Sequence, residues 1–145
     1  MKRLFIYYSH SGNGDIVAES LKEKGFDIRK VIPKKDIPKN FVLSILVGGF
    51  KASINYRDKL KEFNYNISDY DEIYIGSPIW NARLSSPINT VIDNLEVEKR
   101  PLTFVLYSGS GTSPKATVKI KEKFPDAKII DLKEPKKNKE ELKKL

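Results

Sequence analysis

RLFIYYSHSGNG, residues 3–14, is the stretch on which the fold turns. A β-branched and aromatic run, residues 3–8, stops at a polar turn of small residues, so it reads as a buried strand ending in a loop. From Asp15 onward Ile16, Val17, Ala18 and Leu21 recur at helical spacing, and Gly25 is a good helix stop. Strand, turn and helix within one short span make the opening of an α/β unit.

The same alternation continues outward. Residues 26–32 read as a second strand, residues 71–76 (DEIYIG) as a third, 102–107 (LTFVLY) as a fourth and 127–132 (AKIIDL) as a fifth. Residues 77–83 are expected to form the loop leaving the third strand. A helix then starts with Ser86 as N-cap and Pro87 at the first helical position, running through Ile88, Val91, Ile92 and Leu95. A further helix passes through Val118 and Ile120, and residues 139–145 form a short final one. Between Pro33 and Tyr65 two prolines and the pair Gly48-Gly49 blur the pattern. A helical crossover continuing through Tyr56 to Phe63 is the favoured reading there. The fold class that follows is α/β: a doubly wound, five-stranded parallel sheet with helices on both faces. No repeat or linker divides the chain, so residues 1–145 are read as one domain.

Composition narrows the function. With no Cys, there is no disulfide framework, thiol nucleophile, iron–sulfur cluster or cysteine-type zinc site. The apolar run at the start is shorter than a signal peptide needs, and the longest apolar stretch, residues 41–50, is too short to span a membrane. A soluble, cytoplasmic protein is expected. The formal net charge of +8 would suit an acidic partner or a nucleic acid, but no basic motif interleaved with aromatics appears. Several of the lysines lie in residues 135–145 (PKKNKEELKKL), which read as a solvated face or frayed tail. No nucleic acid partner is expected.

In a doubly wound sheet, ligands bind beyond the carboxyl ends of the strands at the topological switch point. Three loops rich in small and polar residues follow strands and precede helices. The first, Ser9, His10, Ser11, Gly12, Asn13 and Gly14, offers hydroxyls and backbone N–H groups at a helix start, which suits a phosphate monoester. It has neither the lysine of a triphosphate loop nor the GxGxxG of a dinucleotide site.

Here the chain resembles the flavodoxin family. Its first loop follows the family's phosphate pattern [ST]-x-[ST]-G-[NH]-[ST] from Ser9 to Asn13, with Gly14 replacing the usual hydroxyl residue. The second loop, Gly76-Ser77-Pro78-Ile79-Trp80, resembles the G-[ST]-P-x-[WY] segment that lies against the flavin ring. The third, Ser108, Gly109, Ser110 and Gly111, matches the family's other ring-binding loop in place and in small-residue character. The resemblance covers residues 2–132 and implies one non-covalently held flavin mononucleotide (FMN). It implies the phosphate at residues 9–14, and the ring between Ser77, Pro78, Ile79, Trp80, Asn81 and Ala82 on one side and Ser108, Gly109, Ser110 and Gly111 on the other. Trp80 is expected to stack on the ring.

Other residues are assigned less. His10, the lone histidine, reads as a hydrogen-bond donor or an exposed side chain, and Ser9 or Ser108 has no second histidine to activate it as a nucleophile. No catalytic residue and no metal ligand is assigned. The functional expectation is a flavodoxin-type electron carrier working with redox partner proteins or a small-molecule acceptor. Its alternatives are a small FMN-dependent reductase acting on a quinone or similar substrate, and a cofactor-free interaction module of the same fold. Arg83, three residues beyond Trp80, is expected to raise the potential of the anionic reduced flavin.

Overall fold

The computed structural model describes every residue but Asn55, and every side chain but those of Ala52, Ser53 and Asn55. Five strands run parallel: β1 (Arg3–Tyr7), β2 (Asp27–Lys30), β3 (Glu72–Trp80), β5 (Leu102–Ser108) and β6 (Lys128–Lys133). Between them in the chain comes β4 (Arg83–Leu84), two residues paired antiparallel to the end of β3. The sheet order is β2-β1-β3-β5-β6, so the winding reverses between β1 and β3. That reversal is where a ligand crevice opens in such a sheet.

Strand alternation builds two cores. Leu4, Ile6 and Tyr8 face one side with Ile73, Ile75, Phe104 and Leu106, where α3 (Ser86–Asn94) contributes Ile88 and Val91 and α4 (Pro114–Lys123) contributes Ala116 and Ile120. Phe5 and Tyr7 face the other side with Val105, Tyr107 and Leu132, covered by Val17, Ala18 and Leu21 of α1 (Asn13–Glu23). Both β1 and β5 are buried on each face, which is why they read as unbroken apolar runs.

Four sequence expectations are corrected. The crossover is helical only over α2 (Phe41–Ser53), and the helix does not continue through Tyr56 to Phe63. That segment is held instead in an extended arrangement against the strand-2 exit: Pro33 bridges Leu60, the Lys34 N–H donates to the Lys59 carbonyl at 2.8 Å, and the Lys61 N–H donates to the Ile32 carbonyl at 2.8 Å. Residues 77–80 are not loop but the continuation of β3, which turns back through Asn81 and Ala82 into β4. The N-cap of α3 is Ser85 rather than Ser86, with Pro87 the second helical residue: Ser85 has the extended backbone of a cap (φ −65°, ψ 151°), while Ser86 is already helical and donates its hydroxyl to the buried Asp58 carboxylate at 2.5 Å.

The C-terminal segment forms the short final helix expected and its lysines are a solvated face, so it is not a frayed tail. Lys139–Lys144 form a 3-10 helix, Leu142 and Leu145 pack on the α1-side core, and Glu141 accepts the Lys133 N–H at 2.9 Å. Among the described residues no helix is long and apolar enough to cross a membrane. α2 nonetheless exposes Phe41, Val42, Leu43, Ile45, Leu46 and Phe50.

Candidate cofactor site at the strand ends

The first loop is built around a glycine turn. Gly12 caps α1 with φ +100°, a left-handed conformation that suits glycine. The Ser9 hydroxyl oxygen accepts the N–H groups of Gly12 at 3.2 Å and Gly14 at 3.1 Å, so this buried side chain braces the turn from inside. Ser11 is exposed, and Gly12 and Asn13 are half-buried at the rim.

Gly14 departs from the family's hydroxyl residue for a steric reason visible here. A Cβ at this position would lie 2.5 Å from the Tyr107 hydroxyl oxygen, 2.9 Å from Ser9 Cβ and 2.9 Å from Tyr7 Cδ2. Tyr107, buried on β5, occupies that space and donates its hydroxyl to the Tyr8 carbonyl. Its burial pushes the phenol well above the usual tyrosine range, so it serves as a neutral donor. No periodicity in the sequence links residue 14 to residue 107.

His10 stands at the junction of two loops. Its Nδ1 is the buried side-chain atom, among the described residues, that lacks a hydrogen-bond partner, and it lies 4.0 Å from an Asp36 carboxylate oxygen. Burial and the charge of Lys39 hold its pKa below the ordinary histidine value, outweighing the pull of Asp36. A neutral imidazole near pH 7 follows. Asp36 also accepts the Tyr8 hydroxyl at 2.5 Å, and burial together with that bond raises the Tyr8 phenol.

The second loop is a β-hairpin tip. Asn81 (φ 48°) and Ala82 (φ 62°) both take left-handed backbone, the pattern of a two-residue turn whose twist matches its strands. Ser77 is fully buried: its hydroxyl donates to the Pro78 carbonyl at 2.8 Å and accepts the Ser85 N–H at 3.1 Å. It ties the hairpin to α3. Pro78, Ile79 and Trp80 are half-buried. The Trp80 indole meets Tyr8 and His10 edge-on, with ring centroids 5.7 and 6.2 Å away, and lies against Gly48 of α2. First and second loops therefore touch through their aromatic rings.

The third loop is compact and outward-facing. Gly109 and Ser110 are exposed, Gly111 has φ +76°, and its N–H donates to the Ser108 hydroxyl oxygen at 3.0 Å. Sheet register sets this loop beside the others, since Tyr7 pairs Gly76, Gly76 pairs Val105 and Pro78 pairs Tyr107.

Sequence reasoning missed two cations at this edge. Lys136, on the segment after β6, donates its backbone N–H to Asn13 Oδ1 at 3.0 Å and its ammonium to the Ser11 carbonyl at 3.2 Å. Lys39 donates its ammonium to the His10 carbonyl at 3.4 Å. Both lie far from the loop in sequence, inside lysine-rich stretches that look like solvated surface. Arg83, by contrast, lines a cleft of about 390 Å³ between α3 and α4 with Arg57, Asp93 and Lys119.

The sequence profile described as Flavodoxin matches residues 2–145. The chain belongs to the flavodoxin family. No curated protein sequence matches it. Among solved structures, a flavoprotein of Bacteroides uniformis superimposes with a TM-score of 0.74 at 21% identity, over 98% of this chain and 97% of that one. One from Bacteroides eggerthii gives 0.73 at 22%, over 92% and 91%. A flavoprotein of Lactobacillus acidophilus, crystallised in complex with FMN, gives 0.67 at 22%, over 96% and 97%. At these identities the likeness establishes a shared fold, the doubly wound α/β sheet described above.

Proposed function

We propose that this flavodoxin binds one FMN across the three strand-end loops and works as an electron carrier between protein partners. FMN is the cofactor of the family. The observation that carries the reading is the meeting of the loops after β1, β3 and β5 at the winding reversal, with Trp80 reaching Tyr8 and His10. The residues fit the cofactor on two counts: a glycine turn at a helix start with the Lys136 ammonium beside it, and a buried imidazole nitrogen, His10 Nδ1, that no hydrogen bond satisfies.

In this reading Ser11, Gly12, Asn13 and the start of α1 receive the phosphate, while Ser9 and Gly14 hold the turn in shape. Trp80 and the hairpin tip at Asn81 and Ala82 border one side of the ring, and Ser108, Gly109, Ser110 and Gly111 offer backbone to its polar edge. Bound FMN supplies redox chemistry in one-electron and two-electron steps, and the protein sets its orientation and charge environment. A carrier is favoured over a reductase by α2. Gly48 of this helix lies against Trp80 while its outer residues Phe41, Val42, Leu46 and Phe50 are exposed, an apolar surface beside the ring loops that suits a docking protein. The working place of such a carrier is the cytoplasm.

Absorbance of the purified protein and a fluorescence titration test this directly. The protein should carry, or take up, a yellow chromophore with oxidised-flavin bands, and emission from Trp80, the one tryptophan, should fall sharply as FMN binds. A colourless protein whose emission ignores added FMN would make it a cofactor-free member of the fold.

A further inference from the structure

We propose that Lys136 and Lys39 form a two-sided cationic clamp that recognises the FMN phosphate by charge, making this chain select FMN over riboflavin more strongly than its loop hydrogen bonds alone would. The proposal rests on the reading of residues 9–14 as the phosphate loop.

The loop carries no cation of its own, and burial keeps its histidine neutral near pH 7, so any positive charge facing a bound dianion must arrive from elsewhere in the fold. Two lysines arrive, from opposite directions. Lys136 comes from the turn after β6, where Glu134 takes a left-handed φ of 40° and Pro135 is buried, which directs the following residue back over the loop. Its backbone is pinned to Asn13, and its ammonium nitrogen stands 3.1 Å from the point that a Gly12 Cβ would occupy. The lysine therefore fills the space left open by the glycine at the helix cap. Lys39 comes from the turn ahead of α2 and reaches the neighbouring peptide, His10.

Neither ammonium is committed to a carboxylate among the described residues. The acidic side chains near Lys136 are held by other lysines, Glu134 by Lys137 at 3.0 Å and Glu141 by Lys144 at 2.7 Å. Lys136 and Lys39 hold only neutral carbonyl oxygens, at 3.2 and 3.4 Å. A phosphate dianion is a far stronger acceptor for an ammonium than a peptide carbonyl, and a helix start adds its own positive field. Exchanging carbonyl for phosphate needs only rotation of long side chains that are already in place.

The test is equilibrium binding of FMN and of riboflavin to the apoprotein, followed by quenching of flavin fluorescence, in wild type, Lys136→Gln, Lys39→Gln, the double variant and Lys136→Arg. The clamp requires that each Gln variant lose FMN affinity by roughly five- to tenfold, allowing for solvent screening at an exposed site. Riboflavin affinity should stay within about twofold of wild type. Lys136→Arg should keep most of the FMN affinity, and the salt dependence of FMN binding should flatten in the double variant. Equal losses for both ligands would reduce Lys136 to a brace for the loop, and unchanged FMN affinity in the double variant would remove the clamp altogether. Wild type that binds neither flavin would overturn the flavin reading and the clamp together, whereas wild type that prefers FMN while the double variant keeps that preference would overturn the clamp alone. The apo thermal midpoint of each variant checks that the loop still folds.

Discussion

Replacing Gly14 by alanine should destabilise the apoprotein by an amount the structure allows to be worked out. The backbone at residue 14 is not in the left-handed region, so alanine meets no conformational strain there, and in a first helical turn it would gain up to about 1 kcal/mol over glycine. Against this stands the contact with Tyr107: the new methyl would sit 2.5 Å from the phenol oxygen and 2.9 Å from both Ser9 Cβ and Tyr7 Cδ2. Overpacking of a well-filled core costs about 1–3 kcal/mol. Pushing the Tyr107 hydroxyl off the Tyr8 carbonyl leaves a buried donor and acceptor unpaired, about 1–3 kcal/mol more. The net is a loss of about 3 kcal/mol, or roughly 6–12 °C in thermal midpoint for a chain of this size. Urea denaturation of the apoprotein measures it. Two comparisons isolate the cause. Gly49→Ala, where an added Cβ meets nothing within 4 Å, should be neutral or slightly stabilising. In the Gly14→Ala, Tyr107→Phe double variant part of the loss should disappear, because the hydroxyl that collides is gone while the Ser9 and Tyr7 contacts remain. If Gly14→Ala unfolds within about 0.5 kcal/mol of wild type, the steric account of why this chain lacks the family's hydroxyl residue is wrong.

Further outcomes follow from the charges around the site. Lys30 at 2.8 Å and Tyr7 at 2.7 Å hydrogen-bond Asp15 and, against the opposing effect of burial, hold its carboxyl below the usual aspartate value. A carboxyl with a depressed folded pKa adds stability above its unfolded pKa of about 3.9 and loses it as pH falls through the folded value. The stability gap between wild type and Asp15→Asn should therefore be full near neutrality and close below about pH 4 in acid titrations followed by circular dichroism; a gap independent of pH would detach Asp15 from this role. Because Arg83 lines the cleft between α3 and α4, Arg83→Gln should leave the midpoint of the second flavin reduction at the wild-type value, and a fall at low ionic strength that vanishes in high salt would put its charge beside the ring instead. Coincident midpoints at both salt concentrations would confine Arg83 to its cleft beside Asp93 and Lys119.

How far the molecule can be read from its residues depends on how local each signal is. The strands at residues 3–8 and 102–107 were legible because burial on both faces forces continuous β-branched and aromatic runs, those at 71–76 and 127–132 from their short apolar runs between turns, and the alternation of all four with helices implies a parallel sheet. The small-residue runs at residues 9–14 and 108–111 were legible as strand-end loops, because each is a short polar stretch between an apolar strand and a helix. Boundaries between strand and loop were harder. Residues 77–80 carry proline and polar groups and read as loop, yet Ser77 is buried against Ser85 and the backbone continues in register with β5 as far as Pro78.

Tertiary structure alone decided what distant segments do to one another. The residues beyond Tyr56 held no periodicity that distinguishes helix from an extended strap, and pairing of Lys34 with Lys59 and of Lys61 with Ile32 settled it. Lys136 lies in a stretch whose composition describes a solvated tail, and the turn at Glu134 and Pro135 together with the bond from its backbone N–H to Asn13 brings its ammonium to the Ser11 carbonyl. The glycine at position 14 is likewise a consequence of Tyr107, a residue on another strand. The sequence by itself determined the order of elements and the chemistry offered at each strand end, since those are set within one or two turns of chain. The lysines brought to residues 9–14, the choice of Gly14 and the rings packed around Trp80 arise from contacts between residues tens of positions apart, and such contacts exist only once the sheet has assembled.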